Sequence, residues 1–282
     1  MMADSLRALD FYQIDAFATR VFEGNPAAVV LLDAWPDDAT LAAIAAEHNL
    51  AETAFVRPAY GQDAAVHELR WFTPTCEVEL CGHATLASAH VLLRCRDGFT
   101  PPLTFSTRRA GRLGVDMADG MLWLDFPAQP VEAAAPPAAL TAALGATPSA
   151  WRVGPNHMAV FDDPATVDAL RPDLDALARH AAGDNRGLIV TAPAHDADHD
   201  FVSRYFAPHH GVDEDAVTGS AHCMLAPYWA QVLGRDTLAG RQRSRRGGTV
   251  ACRLAGARVH LGGHAVCYAH GRIHIPDDRF PA

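Results

Sequence analysis

Nothing in this 282-residue chain is long and apolar enough to cross a membrane: runs such as residues 27–32 fall far short of the roughly 18 residues a span needs. It has no long basic run, and its formal charge of −10 argues against a surface that binds nucleic acid by releasing counterions. Cysteine is sparse. None of the six, at 76, 81, 95, 223, 252 and 267, forms a C-x-x-C pair, and a chain of this size needs no disulfide staples, so most are expected as reduced core residues. The opening Met1-Met2-Ala3-Asp4-Ser5 lacks a basic stretch followed by an apolar one, so no secretory leader is read and the expected location is the cytoplasm. The partner left by these absences is a small molecule, with neither nucleic acid nor membrane expected.

What the chain does have is a repeat. Arg70-Trp71-Phe72-Thr73-Pro74 leads on to Gly82-His83-Ala84, and Arg204-Tyr205-Phe206-Ala207-Pro208 leads on to Gly219-Ser220-Ala221. The step from Gly82 to Gly111 equals that from Gly219 to Gly248, and each end glycine follows a Ser/Arg-rich segment. An offset of 137 residues is too long for a solenoid unit, which runs about 20 to 50 residues. It fits a duplicated domain, and 49% apolar content supplies two cores. The expected lobes are residues 1–127 and 128–282, with the tail from about 270 packing on the first.

Periodicity fills in the lobes. Residues 9–17 alternate as a strand, Gly24-Asn25-Pro26 turns into the apolar run 27–32, and Asp37-Asp38 opens a helix that Asn49 stops. A β run over 53–56 then puts Glu52 at the junction of loop and strand, where a carboxylate can point into a cleft. Strands at 66–72, 103–106, 113–117 and 121–125 surround a helix over 84–94. Residues 127–150, rich in Ala and Pro, read as the connection between lobes, with a short helix over 138–144. The second half repeats the order, with a helix at 174–181, a strand at 187–191 and closing strands at 250–254, 258–261, 265–270 and 272–275. The fold class is α+β, each lobe a curved, mostly antiparallel sheet wrapped about a central helix.

A helix start gathers unpaired N–H groups and partial positive charge, so Gly82-His83 and Gly219-Ser220 are natural docks for carboxylate or enolate oxygens. The copies differ chemically: Cys81 and His83 stand where the second has Thr218 and Ser220. A carboxylate beside a substrate carbon takes and returns one proton most readily when its pKa lies near working pH, and Glu52 is the candidate. A helix-end solvated carboxylate is the plain alternative. Asp215 either orients a substrate or complements a helix dipole, and Ser220 either bonds ligand or caps a helix. Among fifteen histidines, His195 and His199 have helical spacing, yet their acidic surroundings fit a solvated loop rather than a metal site. The arginines at 241, 243, 245 and 246 read mainly as a solvated face.

The segments Gly24-Asn25-Pro26-Ala27-Ala28-Val29, Asn49-Leu50-Ala51-Glu52-Thr53, Glu79-Leu80-Cys81-Gly82-His83-Ala84-Thr85 and Glu214-Asp215-Ala216-Val217-Thr218-Gly219-Ser220-Ala221 resemble the PhzF-like, phenazine-biosynthesis-like proteins across nearly the whole chain. The resemblance implies a diaminopimelate-epimerase type of fold, two pseudo-symmetric lobes with the site between them, commonly a homodimer. It also implies an isomerase that moves a proton on a small carboxylic acid without metal or organic cofactor. Glu52 falls at the position of its acid/base glutamate, His83, Asp215 and Ser220 at its helpers, and Gly82 and Gly219 at its backbone donors. Two departures stand out. Ala216 replaces a common proline, and Cys81 faces Thr218 across the repeat where related racemases use two cysteines. A thiol with a lowered pKa at a helix start keeps an epimerase or dehydratase based on Cys81 as an alternative. A protein that binds a small ligand or partner without turnover is another.

Overall fold

The computed structural model describes residues 6–60 and 66–280. Met1 to Ser5, read above for a leader, lie outside them. The chain divides into two units, Met1–Asp125 with Gly263–Ala282, and Phe126–Gly262.

In the first unit, β1 (Leu6–Ala16) and β2 (Asn25–Leu31) pair antiparallel, α1 (Asp38–His48) follows, and β3 (Glu52–Arg57) lies parallel to β2. Next come β4 (His67–Phe72), the two-residue β5 (Glu77–Val78), α2 (Gly82–His90), a π-helical turn (Val91–Cys95), then β6 (Leu103–Thr107), β7 (Arg112–Ala118) and β8 (Met121–Pro127). The order of pairing is antiparallel β3–β4, parallel β4–β6, and antiparallel β6–β7 and β7–β8.

The second unit carries β9 (Glu132–Ala133), α3 (Ala138–Leu144), β10 (Ala150–Val153), β11 (His157–Val160), α4 (Pro164–Ala169), α5 (Leu174–Asp184), β12 (Leu188–Pro193), β13 (Phe201–Phe206), α6 (Gly219–Leu233), β14 (Thr237–Gln242), β15 (Gly248–Ala255) and β16 (Arg258–Gly263). Its pairing repeats the first unit's: antiparallel β10–β11, parallel β11–β12, antiparallel β12–β13, parallel β13–β14, antiparallel β14–β15 and β15–β16. The duplication read from two short motifs thus extends to the whole strand plan.

Each repeat is organised around one helix. Seven of the nine residues of α2, from His83 to Ala89, are buried, and apart from His83 and Leu86 they are Ala, Ser or Thr. Small side chains let strands approach on every side, and a helix buried all round needs its hydroxyls satisfied internally. Thr85 Oγ1 donates to the Cys81 carbonyl at 2.6 Å and Ser88 Oγ to that of Ala84 at 2.7 Å. In α6 the residue equivalent to Thr85 is His222, and its Nδ1 bonds the Thr218 carbonyl at 2.8 Å.

The structure corrects three expectations. Residues 127–150 are not a connection between lobes but part of the second: Leu140, Ala143 and Leu144 pack into its core. Pro227 inside α6 has no N–H, which frees the carbonyl of Cys223, and the N–H of Gln129 bonds that carbonyl at 2.9 Å. The second lobe does not run to 282, because it ends at Gly262. The two strands expected at 265–270 and 272–275 are one, β17 (Ala265–Pro276), in which Gly271 sits in register with Phe11 rather than turning. Its antiparallel ladder with β1 runs from Ala16↔Ala265 to Leu6↔Pro276, and Phe280 joins the core formed by Leu9, Val30, Leu41 and Phe55, so this segment belongs to the first unit.

Candidate active site

Local sequence sets Glu52 in place. Asp37 caps α1 by accepting the Thr40 N–H at 2.6 Å, and Asn49 ends it in the left-handed region at φ 49°, a conformation asparagine tolerates better than most residues. The chain then enters β3 at Glu52, in register with Ala27 of β2. Behind it, the buried Thr53 meets His48 Nδ1 through Oγ1 at 3.3 Å.

Glu52, Cys81, His83 and Asn25 converge within the first unit. His83 Nε2 lies 3.2 Å from Glu52 Oε2, Asn25 Nδ2 lies 3.2 Å from His83 Nδ1, and Cys81 Sγ lies 3.5 Å from His83 Nδ1. His83 is buried, whereas the Glu52 side chain keeps 21% of its exposure, enough to meet a ligand. Burial opposes charge on His83, but the Cys81 sulfur and the Glu52 carboxylate favour it, and the balance lies well above the ordinary histidine value. The Asn25 amide suits either state: its nitrogen donates to a neutral Nδ1, and its oxygen, after a flip, accepts from an imidazolium.

Cys81 departs from expectation. Burial and the Glu52 carboxylate push its thiol up, with His83 pulling the other way, so the helix start does not yield a lowered pKa. Glu52, Cys81 and His83 offer three donor atoms within 4.8 Å of one another, a set with the chemistry to hold a cation. No side chain caps the start of α2, and a helix start is where backbone N–H groups lack partners within the helix.

The start of α6 is built differently. Thr218 Oγ1 donates to Asp215 Oδ2 at 2.6 Å, the Ala216 N–H donates to Asp215 Oδ1 at 2.9 Å, and the Thr218 N–H donates to Gln242 Oε1 at 2.8 Å. Gln242, wholly buried on β14, also donates to the Asp215 carbonyl at 2.9 Å. Asp215 therefore braces the loop in this structure. Ser220 is exposed at the second position of the helix, Gly219 is buried at the first, and again no side chain caps the start. His195 and His199 do lie in a loop, where His199 pairs with its neighbour Asp196 at 2.8 Å.

Sequence reasoning missed the duplicated arginine's partner. Arg70 grips Glu77 with Nε to Oε1 at 2.7 Å and Nη2 to Oε2 at 3.0 Å, and Arg204 grips Glu214 with the same atoms at the same two distances. Each pair anchors the loop that leads into the helix start. The signal lay in the sequence: an acid follows each Arg-aromatic-Phe motif at a similar interval.

Glu52 itself has no twin. The pairings Thr53↔Phe72 and Leu188↔Phe206 make Gly187 its equivalent, and a Cβ on Gly187 would come within 2.2 Å of the Tyr205 hydroxyl. The second unit fills with a phenol the space that the first gives to a carboxylate.

Residues 14–271 match the family described as phenazine biosynthesis-like protein, PhzC-PhzF. A Pseudomonas aeruginosa protein described as an uncharacterized isomerase is 49% identical over 268 residues, covering 95% of this chain and 99% of its own. The crystal structure of a PhzF-family phenazine biosynthesis protein from Enterococcus faecalis aligns with a TM-score of 0.88 at 40% identity, covering 95% of this chain and all of that one. A hydroxyproline epimerase from Agrobacterium vitis, crystallised with trans-4-hydroxy-L-proline, aligns at a TM-score of 0.58 and 12% identity over 96% of this chain and 94% of its own, a likeness of fold alone. Among the described residues no helix is long and apolar enough to cross a membrane.

Proposed function

The chain belongs to the phenazine biosynthesis-like (PhzC-PhzF) family, and from that membership we propose that it is an isomerase that moves a proton within a small carboxylic acid, with Glu52 as the acid/base. The observation that carries this reading is the contact of 3.2 Å between Glu52 and His83 beside the uncapped start of α2. The substrate carboxylate docks on the N–H groups around Gly82, where the helix favours negative charge. His83 holds Oε2, so the other carboxylate oxygen takes the proton from one carbon and returns it to another, and the N–H groups stabilise the negative charge that builds between the two events. No metal or organic cofactor enters these steps. Gly219, Ser220 and Asp215 are substrate-contact candidates of the second unit, and the protein is expected to work in the cytoplasm as a homodimer.

Proton exchange offers a test that needs no prior substrate. Small carboxylic acids incubated with the enzyme in D2O are followed by proton NMR for loss of a carbon-bound proton. Glu52→Gln should slow exchange by about 100-fold or more while circular dichroism is unchanged. Full activity in that variant would refute the assignment. A reaction led by Cys81 is disfavoured by its raised pKa, and Cys81→Ala should retain exchange.

A further inference from the structure

The second unit holds a group of donors that the proposed chemistry does not use. His180 and Asp184 stand one turn apart on α5, and His157 reaches them from the start of β11, with one ligand atom from each of the three within 4.8 Å of one another. His157 Nε2 and Asp184 Oδ2 are 2.8 Å apart. The His157 side chain is only 8% exposed, and its Nδ1 is buried with no hydrogen-bond partner among the described residues.

The neighbourhood is richer in imidazole still. The rings of His157 and His180 lie 5.9 Å apart, and His209, on the short turn Pro208–His210 packed against α5, has the His210 ring tilted against it at 3.9 Å. Two imidazoles and a carboxylate are a donor set that zinc takes in sites with one open position. Ligands on zinc sit about 3.3 Å from one another, so His157 and Asp184, now 2.8 Å apart, part slightly to admit the ion while His180 closes from within 4.8 Å, adjustments that side chains at an accessible helix end can make.

We propose that His157, His180 and Asp184 form a zinc-binding site in the second unit, separate from the proposed catalytic residues, in which the ion ties the C-terminal end of α5 to the start of β11. The i, i+4 spacing makes the helix one arm of a chelate, and the strand supplies the other.

The test uses full-length protein carrying Cys81→Ala, so that the thiol of the other donor set cannot compete, stripped with chelator and titrated with zinc chloride by calorimetry. One equivalent should bind, and thermal melting should rise with zinc. Adding His180→Ala or Asp184→Asn, both at positions accessible to solvent, should weaken binding by at least about 100-fold, the upper end of what losing a mere supporting residue costs, and remove the zinc-dependent rise in melting. Cobalt chloride should give a visible absorption band in the parent that both variants lose. Absence of zinc binding in the parent, or binding that both variants keep, would overturn the site. Either result would leave the Glu52 exchange experiment unaffected.

Discussion

Asn25 meets His83 at Nδ1, the ring nitrogen opposite the one that contacts Glu52. Glu52 favours the imidazolium and burial disfavours it, and the Asn25 amide adapts to either without adding charge. Replacing Asn25 with Asp puts a second anion against the ring. His83 is already raised above 6.5, so the ion pair's contribution to stability is complete below that value and is lost as pH rises through the elevated one. Asn25→Asp should therefore move the alkaline limb of the D2O exchange profile to higher pH. A limb that stays put or moves down would show that His83 does not set it. The sequence disclosed this site unevenly. Glu52, Cys81 and His83 stood in motifs that the resemblance singled out, whereas Asn25, inside one of those motifs, read only as turn chemistry. Gln242 gave no signal at all, since a single glutamine in an arginine-rich strand looks solvated until burial exposes its three bonds to the Asp215–Thr218 loop.

At the scale of elements, the paired arginines explain why the Arg-aromatic-Phe motif recurs. The Arg204 side chain is 10% exposed and its partner Glu214 23%, and Arg204 Nη1 also donates to the carbonyls of Val167 and Leu170 at 3.0 and 2.9 Å. Removing the cation strands the carboxylate, while the Leu170 carbonyl keeps the bond from Arg171 Nη1 at 2.7 Å, and breaking a pair this enclosed costs about 3 kcal/mol. Arg204→Met should lower the denaturation midpoint accordingly while leaving the first unit's Glu52–His83 contact in place. A loss under about 1 kcal/mol would mean that the pair behaves as a surface one. Elements with strong end signals were legible: Asp37 and Asn49 bound α1 within a residue of where the sequence put its ends. In the stretch 127–150 the short helix 138–144 was legible but its role was not, because the Ala and Pro content reads as a spacer while Leu140 and Leu144 are too few to announce packing into a core.

For the whole molecule, acid is the expected weakness. His222 is fully buried in α6, and burial lowers it from 6.5 to about 4, with the Thr218 carbonyl pulling slightly upward. His90 falls to about 4 as well, through burial and then Arg94. In each case the unfolded chain binds a proton that the folded one refuses, so stability is whole above 6.5 and drains away as pH falls towards 4. For His222 the loss amounts to roughly 3 kcal/mol. His222→Asn, whose amide can keep the bond to the Thr218 carbonyl, should flatten this dependence in denaturant titrations between pH 7 and 4; an unchanged slope would place the acid sensitivity elsewhere.

The return of β17 to β1 has a consequence for how the molecule is made. The second unit is one continuous stretch, Phe126–Gly262, and it is translated before β17 is. The lobe that carries Glu52 has to wait for that strand, with one whole side of β1 and the seat of Phe280 vacant until residues 265–280 are made. A chain stopped at Gly262 would thus deliver a second lobe with all its segments and a first without its returning strand, so the proposed chemistry depends on a stretch made after the whole of the other lobe.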